Sequence, residues 1–132
     1  MADEITTKKK ILIIEDDEML GGMYRFKFEQ EGYDVQWAKD GIEGLEAIKT
    51  GTYALILSDI IMPGLDGFSV LEEFKKSSKF AKTPFILLTN LGTESDQERG
   101  SKLGAVAYLV KSTMTPTQVA AEAKKHLEKN NI

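Results

Sequence analysis

The chain has 132 residues, of which 42% are hydrophobic and 29% are charged, the balance of a single soluble globular domain. A formal net charge of −4 argues against direct nucleic-acid binding, and the lack of cysteine excludes disulfides and thiolate metal sites. Because no apolar run is long enough to span a membrane and the first residues are polar, we expect a cytoplasmic protein without membrane insertion.

Four apolar runs and one further candidate, residues 33–37, predict β-strands, and each is followed by a segment with the pattern of a helix. We expect the strands at residues 11–14, 33–37, 53–58, 85–88 and 107–110. We expect the helices from the acidic run 15–18 to about residue 31, at 41–49, from Asp66 to about residue 74, at 93–103, and from Pro116 to about residue 127. Apolar strands that alternate with amphipathic helices predict an open parallel sheet covered by helices on both faces.

The first predicted helix contains two glycines, and the second is short with three apolar residues. Gly21 and Gly22 lie inside the first helix, where each costs up to about 1 kcal/mol relative to alanine. The second helix is short and carries Ile42, Leu45 and Ile48 as its apolar residues.

Polar side chains stand where four of the five predicted strands end, which is where open parallel sheets bind their ligands. They are Glu15, Asp16 and Asp17 after the first strand, Asp59 after the third, Thr89 after the fourth and Lys111 after the fifth. Clustered carboxylates repel one another unless a cation is bound, and an all-oxygen ligand set favours Mg²⁺, with Mn²⁺ as an alternative. A lysine amine and a threonine hydroxyl beside the metal would suit a phosphoryl group and make Asp59 a usable nucleophile.

Five short motifs follow one another along the chain. They are Ile11 to Asp17, Asp59 followed by Met62-Pro63-Gly64-Leu65-Asp66-Gly67, Leu87-Leu88-Thr89, Gly104-Ala105, and Tyr108 to Lys111. In this order and spacing the chain resembles a response-regulator receiver domain of two-component signalling, of the stand-alone type. The resemblance implies a flavodoxin-like (βα)5 fold, a doubly wound parallel five-stranded sheet of order 2-1-3-4-5. We expect one receiver domain over 1–132, with an ordered core of about 9–129, short polar tails and no output domain in this chain.

The resemblance also implies roles for individual residues. Asp59 would accept a phosphoryl group from a histidine kinase or histidine phosphotransfer protein in a Mg²⁺-dependent reaction. The metal would be held by Glu15, Asp16, Asp59 and the backbone carbonyl of Ile61, while Thr89 and Lys111 contact the phosphoryl group. Thr89 and Tyr108 would switch a protein-binding face made of the fourth helix, fifth strand and fifth helix. The resemblance implies a phosphorelay protein that is not an enzyme, is a monomer or a weak dimer on phosphorylation, and acts on an effector protein without binding nucleic acid.

Alternatives remain open at the sequence level. The acid pair could be Asp16 and Asp17 in place of Glu15 and Asp16. The chain could be a degenerate receiver that binds proteins without phosphorylation, or a flavodoxin-like cofactor binder, although acids stand where a phosphate-binding loop is expected. It could also be an aspartate-nucleophile phosphatase, although that class needs a second acid where Ile61 stands.

Four residues depart from the family pattern beside the predicted phosphoacceptor. Ser112 follows Lys111 where the family has a proline that is usually cis, so either a cis Lys111-Ser112 bond forms or the loop takes another path and holds Lys111 less firmly. Asn90 replaces a smaller residue and could crowd the site. Ile61 and Leu91 are apolar at positions that, by the resemblance, tune the attack of water on the phosphoaspartate, and we therefore expect slow loss of the phosphoryl group.

Met19, Met23 and Phe26 form a second apolar stripe on the first helix, rotated from its core face. Two interpretations remain open. The stripe either packs against the last helix or forms a docking patch for the phosphoryl donor.

Overall fold

The structure is a computed structural model that describes residues 8–77 and 82–129. The short polar tails that we expect at the two ends of the chain therefore lie outside the described residues. Strands and helices alternate in the order β1 Lys10–Ile14, α1 Glu18–Gln30, β2 Asp34–Ala38, α2 Gly41–Thr50, β3 Leu55–Ser58, α3 Gly67–Lys75, β4 Phe85–Thr89, α4 Glu94–Leu103, β5 Ala107–Val110 and α5 Pro116–Lys129. A short 3-10 helix, Lys111–Thr113, connects β5 to α5.

The described residues form one five-stranded sheet in which every neighbouring pair of strands is parallel. The strand order is β2-β1-β3-β4-β5, so the predicted order 2-1-3-4-5 is confirmed. Alternate residues of each strand point to opposite faces of the sheet. In β1, Ile11 and Ile13 pack with α1 and α5 residues, whereas Leu12 and Ile14 pack with α2 and α3 residues.

Two predicted strands begin later than expected. Tyr33 lies before β2 because it belongs to the turn that ends α1, where its N–H donates to the Phe28 carbonyl and Gly32 has a positive φ of 98°. Tyr53 lies before β3 and its hydroxyl donates to the carbonyl of Ala47 at 3.0 Å. Both tyrosines therefore close helix-to-strand connections.

Side-chain hydrogen bonds cap the first turns of α1 to α4. Asp17, Asp40, Asp66 and Thr93 each accept a hydrogen bond from a backbone N–H three residues later, which stabilises each helix by about 1 kcal/mol. These caps set the residue at which each helix begins.

Helix α4 is attached to the sheet by little buried surface. Within α4, all of which the structure describes, only Gly100 is buried. A Cβ atom at Gly100 would lie 2.8 Å from Leu87 Cδ1, so the helix backbone comes close to β4. The Arg99 guanidinium adds a contact, 4.2 Å from the ring centroid of Phe68.

No helix in the described part of the chain combines the length and apolarity that crossing a membrane requires.

Candidate functional site

The parallel strands bring four predicted site residues to one edge of the sheet. Glu15 follows β1, Asp59 follows β3, Thr89 ends β4 and Lys111 follows β5. Glu15, Asp59 and Thr89 are buried at this edge, with exposed fractions of 2%, 6% and 1%, and so is Ser58, the last residue of β3. Burial of ionisable groups is costly without partners, so their contacts define the site.

Lys111 supplies the positive charge at the centre of the site. Its Nζ atom lies 2.7 Å from Asp59 Oδ2 and 2.7 Å from Glu15 Oε1. Burial lowers the pKa of the Lys111 amine, but hydrogen bonds to Asp59 and Glu15 outweigh that effect and raise the pKa above its ordinary value. The lysine therefore holds two carboxylates of neighbouring strands together.

Every polar group of the Asp59 side chain and its backbone N–H has a partner. Asp59 Oδ1 accepts from the Ile60 N–H at 2.7 Å, and the Asp59 N–H donates to the Ile14 carbonyl at 2.9 Å. These bonds leave the carboxylate at the mouth of the sheet with one oxygen toward Lys111.

Glu15 and Asp16 are the acids that approach Asp59. One carboxylate oxygen from each of the three residues lies within 4.8 Å of the others, and Asp16 is exposed to solvent. Burial raises the pKa of the Glu15 carboxyl, and hydrogen bonds from Lys111 and the Asp17 N–H offset this only in part. Three oxygen ligands of this charge fit a hard divalent cation such as Mg²⁺.

Asp17 caps a helix and does not approach Asp59 as Glu15 and Asp16 do. Its side chain accepts from the Leu20 N–H at 2.9 Å and caps α1. The alternative acid pair Asp16 and Asp17 is therefore disfavoured by the geometry, which brings Glu15 and Asp16 to Asp59.

The Lys111-Ser112 bond is trans, since the described residues contain no cis peptide bond. The cis alternative is therefore wrong, and the loop instead follows the 3-10 helix Lys111–Thr113. On this path the Lys111 amine lies 2.7 Å from Glu15 Oε1 and from Asp59 Oδ2, and the expectation that the path holds Lys111 less firmly stays a prediction.

A pocket of about 200 Å³ opens beside Asp59 and Lys111. Its other lining residues are Ile61, Thr89, Asn90 and Leu91. The Ile61 side chain is 60% exposed, and Asn90 is also exposed. The departures from the family pattern on the β3 and β4 loops thus surround the phosphoacceptor candidate.

Leu91 connects Thr89 with Tyr108 through its backbone. The Leu91 N–H donates to Thr89 Oγ1 at 3.3 Å, and the Tyr108 hydroxyl donates to the Leu91 carbonyl. Tyr108 is half-buried, and burial, with smaller contributions from Asp96 and Asp59, raises the pKa of its hydroxyl to about 12. The phenol is therefore a hydrogen-bond donor at physiological pH.

The apolar stripe on α1 stays largely outside the core. Met19 is 71% exposed, Met23 44% and Phe26 66%, and with Pro116 and Thr117 they line a groove of about 470 Å³. Packing against α5 therefore does not account for these side chains.

Trp37 contacts the backbone of the acid pair, although the residue pattern did not predict it near the site. Its indole Nε1–H donates to the backbone carbonyl of Glu15 at 3.0 Å. Sequence position offers no signal for this contact, because it depends on how β2 pairs with β1 and on the space left by α1.

Comparison with known proteins identifies the family of the chain. The family model described as the response regulator receiver domain matches residues 11–124. The chain belongs to this family. As a receiver domain of two-component response regulators it is a component of phosphorelay signalling.

Three relatives show the extent of the similarity. The receiver is 39% identical over 104 residues to the uncharacterized transcriptional regulatory protein YkoG of Bacillus subtilis, covering 79% of this chain and 45% of that protein. It is 34% identical over 124 residues to the alkaline phosphatase synthesis transcriptional regulatory protein PhoP of the same organism, covering 94% of this chain and 50% of that protein. A solved Francisella response regulator receiver domain is 31% identical, with a TM-score of 0.85 and coverage of 94% of this chain and 100% of that chain. The receiver thus spans about half the length of these two regulatory proteins.

Proposed function

We propose that this receiver accepts a phosphoryl group on Asp59 from a phosphohistidine of a kinase or phosphotransfer protein. The observation that carries the proposal is the position of the Lys111 amine, 2.7 Å from both Asp59 and Glu15 at the mouth of the sheet. An Asp59 carboxylate oxygen would form a bond to phosphorus as the phosphorus–nitrogen bond to the donor imidazole breaks. Lys111 lies where it would neutralise negative charge on the transferred group.

Glu15, Asp16, Asp59 and the backbone carbonyl of Ile61 would hold a Mg²⁺ ion, with Mn²⁺ as an alternative. The metal supplies charge neutralisation of the phosphoryl oxygens. The three acids support this assignment, because their oxygens lie within 4.8 Å of one another and include the phosphoacceptor. The receiver would then act as a switch whose only chemistry is its own phosphorylation and dephosphorylation.

The switch would run from Thr89 to the face formed by α4, β5 and α5. A phosphoryl oxygen on Asp59 would accept a hydrogen bond from the Thr89 O–H, and rotation of Thr89 toward it would displace the Oγ1 atom that now accepts from the Leu91 N–H. The Leu91 carbonyl is in turn the acceptor of the Tyr108 hydroxyl. Movement of this loop would therefore reposition Tyr108 and α4, and an effector protein would bind the altered face.

The test is labelling with acetyl phosphate in the presence of Mg²⁺, followed by intact mass spectrometry. We expect the wild type to gain one phosphoryl group and Asp59→Asn to gain none. Asp40→Asn is the matched control, because Asp40 caps α2 and asparagine is an equally good cap. Labelling of Asp59→Asn at the wild-type rate, or no Mg²⁺-dependent labelling of the wild type, would overturn the proposal.

Ile61→Asn is expected to speed the loss of the phosphoryl group several-fold. Ile61 lines the pocket beside Asp59, and a polar amide there would favour approach of the attacking water. The measurement is the decay of labelled protein after removal of acetyl phosphate. Ile42→Asn is the control, since Ile42 is similarly exposed at 63% but does not line that pocket. Equal decay of the two variants would contradict the expected role.

Phe26→Glu is expected to slow phosphotransfer from a phosphorylated histidine phosphotransfer protein by about tenfold, because burial of one aromatic side chain contributes about 1.5–3 kcal/mol. Labelling by acetyl phosphate should not change, since the small donor needs no docking surface. Val106→Glu controls for added charge at an apolar residue that is 46% exposed. Equal slowing with both donors would mean that Phe26 acts through the fold and not through docking.

A further inference from the structure

Trp37 is the single tryptophan of the chain, and it lies beside the acid pair at the end of β2. It pairs with Ile13 of β1 in the parallel register, and the next pair is Ile14 with Ala38. From this position its indole N–H reaches past the end of β1 to the Glu15 carbonyl, 3.0 Å away.

That carbonyl belongs to the peptide group that joins Glu15 to Asp16. The orientation of this peptide determines the directions in which both carboxylate side chains leave the backbone. On its other side the Glu15 N–H donates to the Ala38 carbonyl at 3.0 Å. The end of β2 therefore holds the backbone of the acid pair through both a strand carbonyl and the Trp37 side chain.

Glu15 is constrained at its side chain as well. Its Oε2 atom accepts from the Asp17 N–H at 3.0 Å, and its Oε1 atom lies 2.7 Å from Lys111 Nζ. With the two backbone hydrogen bonds, each polar group of Glu15 has a partner. The hydrogen bond from Trp37 is made by a side chain, so it can be removed by substitution without altering a site acid.

Helix α1 leaves room for the indole at Gly21. A Cβ atom there would lie 2.2 Å from Trp37 Cζ2 and 2.4 Å from Cε2, far inside van der Waals contact. At the adjacent Gly22, a Cβ would meet no described atom within 4 Å. Packing against Trp37 thus explains why a glycine stands at position 21 of the helix. Packing does not explain Gly22.

We propose that Trp37 is a positioning residue for the divalent cation site, which it orders through its hydrogen bond to the Glu15 carbonyl. The inference rests on the proposed function, because it concerns the metal that would serve phosphorylation. A group hydrogen-bonded to the backbone of metal ligands raises affinity by reducing the freedom of those ligands before the ion binds. Trp37 also becomes an optical reporter of the site, since its indole is bonded to the backbone that the ion orders.

Mg²⁺ titration of the unphosphorylated protein by calorimetry tests the inference. Trp37→Phe keeps an aromatic ring but removes the N–H, and we expect the Kd for Mg²⁺ to rise about threefold to tenfold. Gly21→Ala, which displaces the indole, should weaken binding in the same direction, while Gly22→Ala should not. Val35→Ala on the same strand controls for a general loss of stability and should leave the Kd unchanged.

Two further readouts separate positioning from a structural role. In acetyl phosphate labelling, Trp37→Phe should raise the Mg²⁺ concentration at half-maximal rate but leave the rate at saturating Mg²⁺ unchanged. In the wild type, Mg²⁺ should change the tryptophan fluorescence with the same midpoint as calorimetry, and Asp16→Asn should abolish that change.

Equal Kd values for the wild type and Trp37→Phe would overturn the inference, and so would equal Kd values for Gly21→Ala and Gly22→Ala. Either result leaves the phosphoacceptor proposal intact, since that is tested by labelling of Asp59. Absence of Mg²⁺ binding to the wild type would overturn both.

Discussion

Lys111→Met is expected to lower the free energy of unfolding by about 3 kcal/mol at neutral pH in a chelating buffer. The Lys111 side chain is 9% exposed and contacts the carboxylates of Glu15 and Asp59, whose side chains alone are 2% and 7% exposed. Removal of the ammonium leaves these carboxylates buried beside each other without a counter-charge. Urea unfolding followed by circular dichroism measures the loss.

Added Mg²⁺ should restore part of this stability, because a cation that binds only the folded state replaces the missing positive charge. Lys125→Met is the matched control. Lys125 forms an ion pair with Glu122 at 2.9 Å, but its side chain is 66% exposed, so its loss should cost less than about 1 kcal/mol. Equal destabilisation by the two substitutions would show that Lys111 does not neutralise the site acids.

Gly67→Ala is expected to destabilise the fold by about 3 kcal/mol and to displace the end of β3. Gly67 begins α3, and a Cβ atom there would lie 2.1 Å from the Asp59 carbonyl oxygen and 2.8 Å from Ile60 Cα. These are backbone atoms that cannot rotate away, and the Gly67 N–H also donates to the Ile60 carbonyl at 2.9 Å. The intrinsic preference of alanine for helices, about 1 kcal/mol, is too small to offset this overlap.

Urea unfolding of Gly67→Ala beside Gly22→Ala provides the comparison. Gly22→Ala adds the same methyl group in open space and should be neutral or stabilising by up to about 1 kcal/mol. If Gly67→Ala fails to fold, circular dichroism will show the loss of helix directly. A Gly67→Ala protein as stable as Gly22→Ala would mean that α3 does not constrain the Asp59 backbone.

The strands and helices could be predicted because local signals agree with the final packing. Four of the strands are apolar runs and β2 alternates apolar with polar residues, while α1 to α4 begin at side chains that cap their first turn. The convergence of Asp59, Thr89 and Lys111 also followed, since parallel strands end at one edge. Strand order depends on pairing between distant segments, and was inferred from the resemblance instead of from periodicity.

Close glycine contacts could not be predicted from the residue pattern. The apolar residues of α2 identify its buried face only in part, because Ile48 is buried but Ile42 is 63% exposed, and the rest of the buried face is formed by Gly41 and Gly44. A Cβ at Gly44 would lie 2.5 Å from Ile14 Cδ1, so the helix backbone itself packs on the sheet. Hydrophobic periodicity depends on the positions of apolar side chains, so it does not reveal where a glycine backbone packs closely. It therefore does not predict the contact of Gly44 with Ile14 or that of Gly21 with Trp37.

The sparse burial of α4 has a thermodynamic consequence for the receiver. An element that buries little apolar surface has a low free energy of local opening, far below that of the global fold. Coupling between sites commonly amounts to about 1–3 kcal/mol, the size of one hydrogen bond to a charged group. A single new bond at Thr89 could therefore redistribute the conformations of α4, while the strands that carry Asp59 remain in place. In the proposed switch, α4 would therefore move at a low free-energy cost while the sheet that carries Asp59 stays rigid.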